Sequence, residues 1–342
     1  MGFLHLAYAP IRTAILAAAI TVPTLFGMNL AGILSPAAAQ SVDWWKSEWP
    51  NTDFSLHSIE FSEILSGGPP KDGIPSIDRP KFVSVASVSD LAPTEPVVGL
   101  TVNGEARAYP LRILTWHEIV NDTIGGKPVT VTYCPLCNSA IVFDREVDGK
   151  ILEFGTTGKL RNSDLVMYDR TTESWWQQFL GEAIVGEMTG TKLRMLPSRL
   201  ESWERFAARN PDGQVLVPND EGMRSYGRNP YDGYDTSAVP FLYRGEMPEG
   251  IEPMARVVAV GKKAWSMNLL RAGGKIESDD LVLTWEAGQN SALDSSTISK
   301  GRDVGNVIVQ RLENGTMVDV PYDVTFAFVF HAFHPEGELR IE

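Results

Sequence analysis

Short apolar runs separated by turn dipeptides are the feature that most narrows what this chain can fold into. Residues 96–102, 128–133, 140–147, 151–154 and 165–168 have the length and composition of strands. Asn103-Gly104 and Asp148-Gly149 fall between such runs, and these dipeptides suit two-residue hairpins because both central positions need positive φ. Helical periodicity is confined to two short segments. Residues 111–120 repeat apolar positions on one face, and residues 201–209 carry Trp203 and Phe206 before stopping at Asn210-Pro211. The pattern predicts an α+β, β-rich fold of mostly antiparallel strands with a few short helices, rather than a doubly wound sheet.

An internal echo predicts how the strands are grouped. The stretch Ala108-Tyr109-Pro110-Leu111-Arg112-Ile113-Leu114 is matched by Ala264-Trp265-Ser266-Met267-Asn268-Leu269-Leu270. Thr132-Tyr133 with Asn138-Ser139-Ala140-Ile141 is matched by Thr284-Trp285 with Asn290-Ser291-Ala292-Leu293. The expectation is two pseudo-repeated β-rich units, 96–240 and a degenerate 241–342 packed on it. Residues 40–95 precede them as a wrapping segment, since the Gly/Pro-rich stretch 66–75 cannot hold regular structure. Where the first unit has Cys134-Pro135-Leu136-Cys137 the second has Glu286-Ala287-Gly288-Gln289, which assigns the chemistry to the first.

The N-terminus carries an address. Arg12 is the only charge before Asp43, and an apolar core runs into Ser35-Pro36-Ala37-Ala38-Ala39-Gln40. Residues 1–39 read as a signal peptide cleaved after Ala39. The competing reading is a retained N-terminal membrane anchor, because residues 14–34 could span a bilayer. Both readings put the folded part outside the cytoplasm, periplasmic or extracellular, with no later membrane span. Acidic residues outnumber basic ones 43 to 30, for a net charge of −13, so a phosphate backbone is repelled and nucleic acid is not an expected partner.

Cys134 and Cys137 are the chain's only two cysteines, which excludes a disulfide-stapled scaffold. Two thiols separated by two residues can close a small redox-active ring or both reach one metal ion. They follow a strand and precede another, unlike a thioredoxin, whose first cysteine opens a helix. His117 and Asp122 are the expected groups for tuning a thiolate, making a thiol-dependent oxidoreductase one reading. In the other, Cys134, Cys137 and His117 ligate copper or zinc without catalysis, Met167 favouring copper(I). His331 and His334 are spaced for ligation but stand far away in sequence. Arg161, Asp169, Arg170, Trp176 and Gln177 are the candidates for a cationic, aromatic-walled pocket holding an unknown small molecule or meeting a redox partner protein. Asn229-Pro230-Tyr231-Asp232-Gly233-Tyr234-Asp235 reads as an aromatic turn. Residues 155–159 fail the phosphate-loop spacing.

Several ordered motifs carry a resemblance: Asp72-Gly73-Ile74-Pro75-Ser76-Ile77-Asp78, Trp116-His117-Glu118-Ile119-Val120-Asn121-Asp122, Thr132-Tyr133-Cys134-Pro135-Leu136-Cys137, Leu165-Val166-Met167-Tyr168-Asp169-Arg170 and Ala332-Phe333-His334-Pro335. Together they resemble the family catalogued as domain of unknown function 3179, over nearly the whole chain beyond the leader. The resemblance implies no established activity. Some members are described as selenoproteins, and selenocysteine in a cysteine's place implies redox or nucleophilic chemistry. Trp175-Trp176 departs from the family pattern, which has a small or aliphatic residue before the tryptophan.

Overall fold

Residues 36–342 are described here in a computed structural model. The expected leader lies outside the described residues as far as residue 35. Its end, including the expected cleavage point, opens the helix Pro36–Glu48. Among the described residues, no helix is long and apolar enough to cross a membrane.

Among the described residues the backbone is β-rich and mostly antiparallel, with five short α-helices. The run expected at 96–102 is the strand Pro96–Val102, paired to Glu105–Pro110 across Asn103-Gly104 at φ 50° and 83°. The helix expected at 111–120 is shorter. It stops at His117, Glu118 takes φ 58°, and Ile119–Ile124 becomes a strand antiparallel to Lys127–Cys134. Ile119 and Val120 are β-branched and pair with Thr132 and Val131, so sheet pairing overrides the helical spacing.

Five sheets form a propeller-like ring. A tryptophan sheet orders Ile64–Ser66, Phe154–Arg161, Asp164–Asp169, Trp175–Gln177 and Glu182–Val185. A cysteine sheet orders Arg194–Leu196, Ser139–Asp144, Lys127–Cys134 and Ile119–Ile124. A third orders Arg199–Ser202, Pro96–Val102, Glu105–Pro110, Gln214–Val217 and Lys81–Ser84. The fourth holds Asp323–Phe326, Arg256–Val260, Lys263–Ser266 and Glu338–Arg340. The fifth holds Lys275–Ser278, Leu281–Glu286, Asn306–Glu313 and Thr316–Asp319.

This corrects the expectation of two pseudo-repeated units. The sequence echo has a local counterpart: in the third and fourth sheets a hairpin is flanked by one antiparallel and one parallel strand. The short helices Leu111–His117 and Met267–Gly273 then lead into a second hairpin in the cysteine and fifth sheets, and the tryptophan sheet stands outside this correspondence. The short motifs report a shared hairpin–helix–hairpin order, not the number of units. The largest core cluster draws Tyr109, Tyr133, Trp265 and Val324 from the third, cysteine and fourth sheets together, so burial unites the ring across position 240.

The N-terminal segment lends edge strands to two sheets, Ile64–Ser66 beside Arg161 and Lys81–Ser84 beside Gln214–Val217. Its helix docks through Trp45, with Trp49 just beyond its end; their rings lie 5.1 and 5.4 Å from that of Trp175 in edge contacts. Trp175 is therefore a packing residue for this helix, which gives its bulk a structural cause.

Candidate functional site

The strand Lys127–Cys134 is buried along almost its whole length and delivers Cys134 to a tight turn. Cys137 N–H donates to Cys134 O at 3.2 Å, and Asn138 at φ 51° returns the chain so that Ser139 faces Cys134. The fourth sheet pins this turn. Phe326 N–H and Thr325 Oγ1 donate to Cys137 O at 3.2 and 2.8 Å, and Asn138 Nδ2 donates to Val324 O at 2.7 Å. The two thiols are therefore set by two sheets.

The tryptophan sheet supplies the facing wall. Between Phe154–Arg161 and Asp164–Asp169, Asn162 and Ser163 make a hairpin turn at φ 52° and 66°. The turn aims Ser163 O at both sulfurs, 3.8 Å from Cys134 Sγ and 3.5 Å from Cys137 Sγ. The next residue is Asp164, completely buried. Donor atoms of Cys134, Cys137 and Asp164 all lie within 4.8 Å of one another. Gln177 Nε2 and Phe179 N–H donate to Asp164 Oδ2 at 2.5 and 2.9 Å, while Oδ1 has no hydrogen-bond partner.

Electrostatics make this an acidic, desolvated centre. Burial pushes the Asp164 carboxyl up to about 6, against the lowering effect of its donors. Burial, and next the charge of Asp164, push Glu118 up to about 8. Both thiols are raised by burial, Cys137 well above its ordinary value. No cation is among the causes that act on Asp164 or Glu118. A buried anion without a partner is costly, so at neutral pH Glu118 keeps its proton, while Asp164 is largely ionised at an energetic cost that a positive charge would offset. Tyr234 from the aromatic turn donates to Leu136 O at 3.1 Å, over the cysteine turn.

Other residues singled out in the sequence have different surroundings. His117 does not reach the cysteines. Its Nδ1 lies 2.7 Å from Pro75 O and its Nε2 2.8 Å from Tyr226 OH, so both ring nitrogens are occupied on another face. The shortened helix explains this: Glu118, not His117, follows the last turn toward the cysteine strand. Asp122 accepts from Arg107 Nη1 at 2.7 and 2.6 Å and from Tyr109 OH at 2.7 Å, which makes it, with Glu105, a counter-ion of a half-buried arginine. The cysteines themselves are not reachable from solvent as a redox turn requires, being 2% and 0% exposed.

The expected pocket residues divide into two groups. Arg161 Nη1 donates to Gln177 Oε1 at 3.4 Å, and Gln177 passes the chain to Asp164, so this pair supports the cysteine centre. Asp169 instead accepts from Thr172 N–H at 2.7 Å and Trp176 Nε1 at 3.0 Å, closing a turn. Arg170 joins Asp72, Asp78 and Glu153 in a half-exposed ionic cluster. Asp169 and Arg170 make these contacts away from the thiols, whereas Trp176 packs in the same buried cluster as Cys134 and Cys137. His334 packs between Phe179 and Phe330, 6.0 and 5.4 Å from their rings.

Sequence reasoning missed Asp164 and the separate role of Glu118. For Asp164 the available signal was its position directly after Asn162-Ser163, a turn between two strand runs.

Two thiols and a carboxylate enclosed where sheets of a β-ring meet define a buried thiol–carboxylate centre. The chain belongs to the family described as Protein of unknown function (DUF3179), whose model matches residues 71–337. That span contains every residue of the centre and leaves out the helix Pro36–Glu48. No curated protein and no solved structure matches the chain.

Proposed function

We propose that the protein binds a divalent transition metal, zinc before copper, through Cys134, Cys137 and Asp164. One observation carries the reading: three donor atoms of metal-binding type, all buried, lie within 4.8 Å of one another. Asp164 Oδ1 supports it: it faces only the weak thiol donors of Cys134 and Cys137 among the described residues, and a cation would satisfy it once those thiols lose their protons. The donor set favours zinc because a carboxylate suits a borderline ion better than it suits copper(I), which prefers soft ligands alone. His117, the ligand expected from sequence, is replaced in this reading by Asp164. The bound ion would keep both thiols deprotonated and would offset the charge of Asp164.

The competing reading is a thiol–disulfide redox site on the same sulfurs, favoured by their mutual closeness. It needs a thiolate within reach of a partner, whereas burial raises both thiols. The leader-like N-terminus supports export of the protein under either reading. Titrating reduced protein with cobalt(II) separates them. Metal binding predicts thiolate-to-cobalt charge transfer and tetrahedral ligand-field bands that saturate at one equivalent and are displaced by zinc. Hexa-aquo-like spectra throughout would eliminate the metal reading.

A further inference from the structure

We infer a second binding site, separate from the cysteine centre, that takes a small zwitterion with an apolar side chain, the chemistry of an aliphatic α-amino acid. A cavity of about 430 Å³ opens between the segment 235–238, the start of the fourth sheet, the helix Met267–Gly273 and the loop around Asp303. Its size lies within the range of small-molecule sites. Met254 and Met267, each 7% exposed, supply an apolar floor.

The charges around it fall into two classes. Arg256 and Arg302 are committed, each with a guanidinium nitrogen 3.1 Å from Asp235 Oδ2, and Arg302 also pairs with Asp294 at 3.3 Å. Asp303 is committed to the backbone N–H groups of Gly288 and Gly305. The remaining two are Arg271, whose guanidinium lies 5.3 Å from the centre of the Trp285 ring, and Glu252; both are exposed, line the same cavity and have no ion-pair partner among the described residues. One is positive and one negative. A ligand carrying both a carboxylate and an ammonium complements them together, whereas a simple anion or cation meets one and is opposed by the other. The methionine floor adds the preference for a flexible aliphatic side chain.

The site also has a route to the cysteine centre. Asp235 directly follows Tyr234, whose hydroxyl holds Leu136 O of the cysteine turn. The proposal does not depend on metal at that turn.

Isothermal titration of the purified protein with three probes tests it: L-leucine, isocaproate, which keeps only the carboxylate, and isoamylamine, which keeps only the ammonium. Leucine is expected to bind saturably and at least about tenfold more tightly than either single-charge analogue. Arg271→Ala and Glu252→Ala alter exposed side chains, so both should fold, as circular dichroism checks. Each is expected to weaken leucine by about tenfold or more. Absence of saturable leucine binding to the wild type would overturn the proposal. So would equal binding of all three probes, or leucine affinity unchanged in both variants.

Discussion

Replacing Asp164 with Asn separates its part in the fold from its part in metal binding. The side chain is fully buried and accepts two hydrogen bonds on Oδ2, from Gln177 Nε2 and Phe179 N–H. Asn has the same shape and, with its carbonyl oxygen in the Oδ2 position, still accepts from both Gln177 and Phe179, leaving its amide in the Oδ1 position on the thiol side. A buried amide without a strong acceptor there costs about 1 kcal/mol, and removing the buried acid offsets part of it. Metal-free variant and wild type should therefore unfold in urea within about 1 kcal/mol of each other. The metal affinity should respond on another scale. Loss of a group that merely orients a ligand costs about 10- to 100-fold. Losing one anionic donor of three should cost at least about 100-fold, or about 2.8 kcal/mol at 1.4 kcal/mol per decade. Competition against a chromophoric chelator measures this directly. Wild-type zinc affinity in a folded Asp164→Asn variant would refute the assignment of Asp164 as a ligand.

Gln177→Leu should lower zinc affinity by about 10- to 100-fold while leaving two titratable thiols, as chelator competition and thiol counting read. His117→Gln should leave zinc content and thiol reactivity at wild-type levels, with about 1 kcal/mol lost in urea unfolding from its contacts to Pro75 and Tyr226. Asp122→Asn should cost about 2 kcal/mol in the same assay, because the Arg107 side chain, 14% exposed, loses one of its two counter-charges and keeps Glu105, again without effect on metal. Metal-free protein should also lose stability as pH rises. Burial raises Glu118 to about 8 and Asp323 to about 7, so the folded state keeps protons that the unfolded state releases. Their contribution is complete below their ordinary values of 4.5 and 3.8 and is lost as pH passes their folded values. Urea midpoints should fall between about pH 5 and pH 8, and Glu118→Gln should flatten the upper part of that decline.

Local structure was legible wherever neighbouring residues decide it. Asn103-Gly104 and Asp148-Gly149 specify their hairpins through backbone conformation alone, and Pro96–Val102 has the strand bounds that its composition indicates. Assembly of the ring was not legible, because it depends on pairings such as Ile64 with Arg161 and Arg199 with Gly99 that leave no periodic trace. The site shows the same division. Cys134 and Cys137 announce themselves by spacing within one turn. Asp164 reaches them from another sheet, and only the hairpin at Asn162-Ser163 and the seam between two sheets bring it there. His117 misled because helical periodicity continued to Val120, whereas the chain leaves the helix at Glu118 and reverses which side chain faces the cysteine strand.

The most direct measurement is elemental analysis of protein purified without added metal or chelator, combined with thiol counting before and after chelation. A buried metal centre predicts about one zinc per chain, with both cysteines slow to alkylate until the zinc is removed and two thiols titrating afterwards. Metal-free protein whose cysteines are already disulfide-bonded, or which alkylate at the same rate with and without chelator, would contradict it.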